Sequence, residues 1–129
     1  MAEKDVIRTD RAPGPFQGAP YNQAIVVGDL VFVAGQLGIG LETGELAGAS
    51  VGEQTEQIMR NLAAILEAAG SSLDKLVKTT VFLVDLGDFS DMNEVYAPHV
   101  GDRPPARSTV GISQLPSGAR VEIEAVAHV

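Results

Sequence analysis

The chain of 129 residues has no cysteine and no tryptophan, and aromatic residues make up only 5% of it. Without cysteine there is no disulfide, no thiolate nucleophile and no cysteine-ligated zinc. Positive charge is also scarce: 9 Lys and Arg stand against 17 Asp and Glu, a net charge of −8. Duplex binding is driven mainly by Lys and Arg neutralising phosphates, so nucleic acid is disfavoured, as is an anionic membrane surface. No apolar run approaches the roughly 20 residues of a membrane-spanning helix. Met1 to Arg8 lacks the apolar core of a signal peptide and carries acids that a transit peptide avoids. A cytoplasmic protein is expected, with no nucleic-acid and no membrane partner.

What is present is ordinary globular material, 45% hydrophobic and 20% charged. At roughly 150 residues per domain, one domain over 1–129 is expected. Residues 9–23, with Pro13, Pro15, Pro20, Gly14 and Gly18, read as an irregular loop, because Pro removes donors and Gly frees the backbone, and residues 1–18 read as an irregular N-terminal segment. Ala24–Val27 and Leu30–Ala34 read as β-runs around a Gly28-Asp29 hairpin turn. The second run is apolar on both parities and ends at Gly35-Gln36, so both of its faces are expected to be covered. Residues 37–49 read as a glycine-rich loop with a turn at Glu42-Thr43-Gly44.

Ser50-Val51-Gly52-Glu53 fits a capping box, and Val51, Thr55, Ile58, Met59, Leu62, Ile65 and Leu66 follow at helical spacing. This predicts a helix over about 50–69, stopped by Gly70. Lys75–Leu86 reads as a strand, with Leu76, Lys78, Thr80 and Phe82 on one parity and Thr79, Val81 and Leu83 on the other. A shorter helix begins near Asp88 and is strained or ended by Pro98. Ala106–Ile112 and the alternating Ala119–Val129 complete the pattern. The order β-β-α-β-α-β-β, with room for a further strand near Val6-Ile7-Arg8, gives an α+β fold: two helices packed on one face of a mixed β-sheet. The other face would carry apolar side chains, and self-association through it is the physical expectation.

Few chemical motifs are present. The glycines of 35–48 do not form a phosphate loop, and Gly38-Ile39-Gly40 lacks the third glycine of a dinucleotide fingerprint. His99 and His128 are too few and too separate for a zinc site. One arginine, Arg107, sits at the start of a small, apolar strand after Pro104-Pro105. Such a guanidinium is exposed, paired, or held for a ligand carboxylate, which it fits as a bidentate fork. From pattern alone, a salt bridge or an edge-strand gatekeeper is the plainer account. Glu122 and Glu124 point the same way on the last strand, as a solvated face or as a base for water. Tyr21 is a ligand contact or a cover for a core edge, and Asn93 a helix cap or a ligand contact.

Taken together, these stretches resemble one family. They are Ala19-Pro20-Tyr21-Asn22-Gln23-Ala24, Val33-Ala34-Gly35-Gln36, Thr43-Gly44-Glu45, and Gln57 to Gly70 around Asn61-Leu62. They continue in Val77 to Leu86, Asp88-Phe89 to Tyr96, Pro105-Ala106-Arg107-Ser108 and Val121-Glu122-Ile123-Glu124-Ala125. The chain resembles the RidA (YjgF-type) reactive intermediate/imine deaminases. The resemblance implies a chorismate-mutase-like subunit in a homotrimer with a barrel-like core and sites between subunits. It implies hydrolysis of small 2-imino acids, such as 2-aminoacrylate, to 2-keto acids and ammonia, with no cofactor and no metal. Arg107 would clamp the substrate carboxylate and Glu122 would position or activate water. Tyr21, Asn93 and Gly35 would contact substrate. Ala34 and Thr109 would also lie at the site, where the archetype has Ser and Cys; the hydroxyl lost at 34 removes one donor. The N-terminal segment, with added Pro and Gly, departs as well. A non-catalytic trimer that binds small carboxylates or keto acids, or protects other proteins, is the competing reading. Ribonuclease activity, ascribed to some relatives, sits badly with the net charge.

Overall fold

The computed structural model describes residues 3–129. Its strands are β1 (Lys4–Ile7), β2 (Ala24–Val27), β3 (Leu30–Leu37), β4 (Leu76–Leu83), β5 (Ala106–Gly111) and β6 (Val121–His128), with helices α1 (Val51–Ala68) and α2 (Phe89–Val100). The strands form one six-stranded sheet in the order β1-β2-β3-β6-β4-β5. Neighbours run antiparallel except β4 and β5, which are parallel and joined through α2. The expected architecture, two helices on a mixed sheet, is the one found. Within the segment expected to be irregular, Lys4–Ile7 is a strand paired with β2; Met1 and Ala2 lie outside the described residues.

Helix α1 starts where its chemistry dictates. The Ser50 hydroxyl accepts from the Glu53 amide while the Glu53 carboxylate accepts from the Ser50 amide, so two otherwise unpaired donors are satisfied. Gly70 closes the helix at φ +81°, a backbone conformation that side chains resist. Ile58, Met59, Leu62, Ile65 and Leu66 of α1 are buried with Met92, Tyr96 and Val100 of α2. They pack on Val31, Val33, Val81, Leu83, Val121 and Ile123 of the sheet. Helix α2 runs through Pro98 and on to Val100 rather than ending at the proline. Pro98 stands in the last turn, so little helix remains beyond the hydrogen bond it removes.

Two bulges correct the expected strand parities. In β3, Val33 opposes Ala125 and Gln36 opposes Ile123, so Ala34 and Gly35 together face one residue of β6. The strand then continues to Leu37 instead of stopping at Gly35-Gln36. In β4, Leu76 opposes Ala127 while Lys78 opposes Val126. This shift turns Leu76 inward with Thr79, Val81 and Leu83 rather than outward with Lys78, Thr80 and Phe82.

The sheet face away from the helices is bare in the single chain. Val6, Leu30, Phe32 and Val110 are 47%, 41%, 45% and 41% exposed. The expectation that both faces of β3 are covered is therefore not met within one chain. Among the described residues no helix is long and apolar enough to cross a membrane.

Candidate active site

Tyr21, Ala34, Gly35 and Glu122 line one cavity of about 690 Å3, on the bare side of the sheet at the β3 bulge. The bulge makes the site. It presents Gly35 to the Glu122 side chain so closely that a Cβ at 35 would lie 2.8 Å from the Glu122 carboxyl carbon. Only glycine leaves that carboxylate its place. Burial pushes the Glu122 carboxyl above its ordinary value, and the neighbouring Glu124 charge adds to the rise. Among the described residues no hydrogen bond is made to the Glu122 carboxylate, which leaves its lone pairs for a guest.

The opposite wall is a strap, residues 13–19. The Gln23 amide nitrogen sits 3.1, 3.1 and 2.9 Å from the carbonyls of Thr9, Ala12 and Pro13, and its oxygen accepts from the Thr9 amide at 2.7 Å. The Tyr21 hydroxyl accepts from the Phe16 amide at 2.6 Å. Among the described residues, Gln17 and Ser117, both at the cavity, are the non-glycine residues with left-handed backbones, at φ 52° and 60°. Strained backbone of this kind gathers at functional sites.

Arg107, Thr109 and Asn93 do not line this cavity. In β5, Arg107 opposes Thr79 and Thr109 opposes Val81, so both point to the helix side of the sheet. The Arg107 guanidinium lies over the Tyr96 ring at 5.0 Å and the Phe89 ring at 5.5 Å. Tyr96 is itself fixed by a 2.7 Å hydrogen bond between its hydroxyl and that of Thr79. Phe89, Asn93 and Tyr96 recur at helical spacing along one stripe of α2. Asn93 is thus interior to the helix and not its cap. Among the described residues Arg107 has no acidic partner, although β5 is an edge strand as a gatekeeper would require. The salt-bridge account of Arg107 is not what is found.

Sequence reasoning brought neither Phe89 and Tyr96 to Arg107 nor Phe16, Gln36, Phe82 and Ser117 to the cavity. The spacing of Phe89, Asn93 and Tyr96 was a usable signal for the first group. The second depends on strand pairing and strap geometry, which local pattern does not carry. His99, which bonds Glu56 at 2.9 Å on the outer helices, takes no part. Among the described residues no cluster of His, Cys, Asp or Glu fits a metal ion.

A two-layer α+β subunit with an acid-bearing cavity on one sheet face and a stacked, unpaired arginine on the other defines the class. Known proteins share the fold. The family model described as Endoribonuclease L-PSP matches residues 11–129. A RutC family protein of Pyrococcus abyssi is 50% identical over 125 residues, 97% of each chain. The human 2-iminobutanoate/2-iminopropanoate deaminase is 41% identical over 122 residues, 95% of this chain and 88% of that one. The crystal structure of E. coli TdcF with bound serine matches with a TM-score of 0.88 at 40% identity, covering 97% of this chain and 98% of that one. The chain belongs to this family, the RidA (YjgF) family.

Proposed function

We propose that this protein hydrolyses 2-imino acids to 2-keto acids and ammonia. It would work as a homotrimer whose sites join Arg107, Asn93 and Thr109 of one protomer to Tyr21, Ala34, Gly35 and Glu122 of the next. The observation that carries the reading is the division of the polar groups. Among the described residues, a guanidinium without an acidic partner stands at the edge strand, and a half-buried carboxylate stands in a cavity on the other face. Each half lacks what the other holds, and the bare apolar face supplies a surface for joining them. The human relative is named for this reaction, and the E. coli relative was crystallised with serine, an amino acid with the same carboxylate headgroup.

The chemistry needs little. A protonated imine carbon is already electrophilic, so no covalent nucleophile is required. Arg107 would hold the carboxylate as a bidentate fork. Glu122 would take a proton from water as its oxygen bonds to the imine carbon and the C=N electron pair moves to nitrogen. The proton then passes from Glu122 to that nitrogen. As the C–N bond breaks, the hydroxyl oxygen forms the C=O bond and gives its proton back to Glu122, ammonia leaves with that proton as ammonium, and the keto acid remains. A carboxyl raised by burial is closer to the pH at which it exchanges protons, which suits a group used in both directions.

RNA cleavage, which the family model's description names, is less well supported. The charged residues lining the cavity are Glu122 and Glu124, both acidic. The deciding experiment follows keto-acid release from imino acids generated in place by a dehydratase or oxidase, with wild type and Arg107→Ala. Acceleration lost in the variant supports the reading; an equal rate in both removes Arg107 from the mechanism.

A further inference from the structure

In the single chain, before a neighbouring protomer takes its share, the cavity has a volume of about 690 Å3, within the range of about 300–1,000 Å3 that holds drug-sized ligands. Its polarity is divided. Glu122 and Glu124 lie together on β6 with Leu37 and Phe82 on either side of Glu122, and Pro13, Pro15, Phe16 and Ile39 complete an apolar wall beside the polar Gln17 and Ser117. If Arg107 closes the carboxylate end, the rest of the guest faces that apolar wall.

We propose that this site selects 2-imino acids with bulky apolar side chains, and that Phe16 on the strap is the residue that sets the preference. The proposal rests on the deaminase reading of the same site. Three features make the wall a binding surface and not a loose loop. The Gln23 side chain ties the strap's start to the segment before it. The Tyr21 hydroxyl holds the Phe16 amide at 2.6 Å. The turn at Gln17 adopts its left-handed backbone without a glycine, so the strap is committed to one path. Phe16 is thereby held at the cavity while the residue is still 37% exposed, leaving apolar surface for a ligand to cover. Ala34 agrees with this, since it offers the guest a methyl group and no hydroxyl. The competing guest is a basic side chain drawn to Glu124, but Glu124 is exposed to solvent, where its attraction is screened.

The test compares imino acids made by an amino-acid oxidase from alanine, leucine and lysine. Calorimetry of pyruvate against 4-methyl-2-oxopentanoate runs alongside. Wild type should favour the leucine-derived imine over the alanine-derived one in kcat/KM by about tenfold or more, the scale of hydrophobic-pocket discrimination. Phe16→Ala should reduce that ratio toward unity and Phe16→Leu should restore most of it. The keto-acid affinities should follow the same order. Equal or reversed preference, a preference for the lysine-derived imine, or a ratio unmoved in Phe16→Ala would overturn the proposal. A protein that turns over no imine yet keeps the keto-acid preference, lost in Phe16→Ala, supports the apolar pocket and sinks only the deaminase reading. A protein with neither turnover nor preference sinks both.

Discussion

Arg107 and Glu122 stand on opposite faces of the same sheet. Arg107 opposes Thr79 of β4 and shares its helix-side face, whereas Glu122 opposes Phe82 of β4 and shares the bare face. Their strands have β4 between them. At about 4.8 Å per strand spacing, the two backbones lie roughly 10 Å apart across the sheet, before any offset along it. No rotamer change brings these side chains together around one ligand within one chain. Any chemistry that uses both therefore needs two chains.

Arg107→Ala is expected to lower kcat/KM for imine hydrolysis by about a hundredfold or more, the scale of losing one partner of a desolvated charge pair. Folding should barely change. The guanidinium stacks on Phe89 and Tyr96 and has no acidic partner among the described residues, so only about 0.5–1 kcal/mol of cation–π attraction is lost. Thermal melting beside steady-state kinetics separates the two effects. Arg107→Lys keeps the charge but not the fork, and should recover only part of the rate.

Mixing inactive variants tests the division directly. Arg107→Ala and Glu122→Gln each spoil one half of the site. In a head-to-tail ring of randomly mixed chains, about a quarter of the junctions would pair an intact Arg107 with an intact Glu122. Co-refolded mixtures should therefore recover about a quarter of wild-type activity. A mixture as inactive as its components would place both residues' work within one chain.

Gly35→Ala should be more damaging than the size of a methyl group suggests. Its Cβ would come within 2.8 Å of the Glu122 carboxyl carbon and 3.0 Å of Oε1. The carboxylate must move, and a displacement of about 1 Å at a reacting group can lower a rate by roughly a hundredfold. A loss of kcat with little change in melting temperature is the expected pattern. Unchanged kcat would show that the placement of Glu122 is not used.

The parts legible in the sequence were those with local causes. The α1 stripe and the Ser50–Glu53 box follow from spacing, and Val121, Ile123, Ala125 and Ala127 of β6 are all buried as their alternation implies. The strand parities failed where a bulge intervened, because one extra residue reverses every side chain beyond it, as at Leu76. Leu30 and Phe32 read as covered on composition, yet nothing in the described chain covers them. The site was legible only residue by residue. Nothing local to Arg107 or Glu122 says which sheet face each occupies, since that is fixed by β4 lying between them.

The last prediction concerns pH. Burial, and then the Glu124 charge, hold the Glu122 carboxyl above its ordinary value of 4.5. If Glu122 must be ionised to take a proton from water, the acidic limb of kcat/KM lies above that value. Glu124→Gln removes the second cause only, so it should move the limb toward lower pH while leaving it above 4.5. The same shift fixes a sign for stability. A carboxyl whose value is raised by folding disfavours the folded state once it ionises. The penalty is absent below 4.5, grows as pH rises through the folded value and is complete above it. Glu122→Gln should therefore melt higher than wild type at neutral pH, with the difference closing as pH falls below 4.5. A variant that melts lower at neutral pH would mean that the ionised carboxylate has a stabilising partner, and the case for a free base in the cavity would fail.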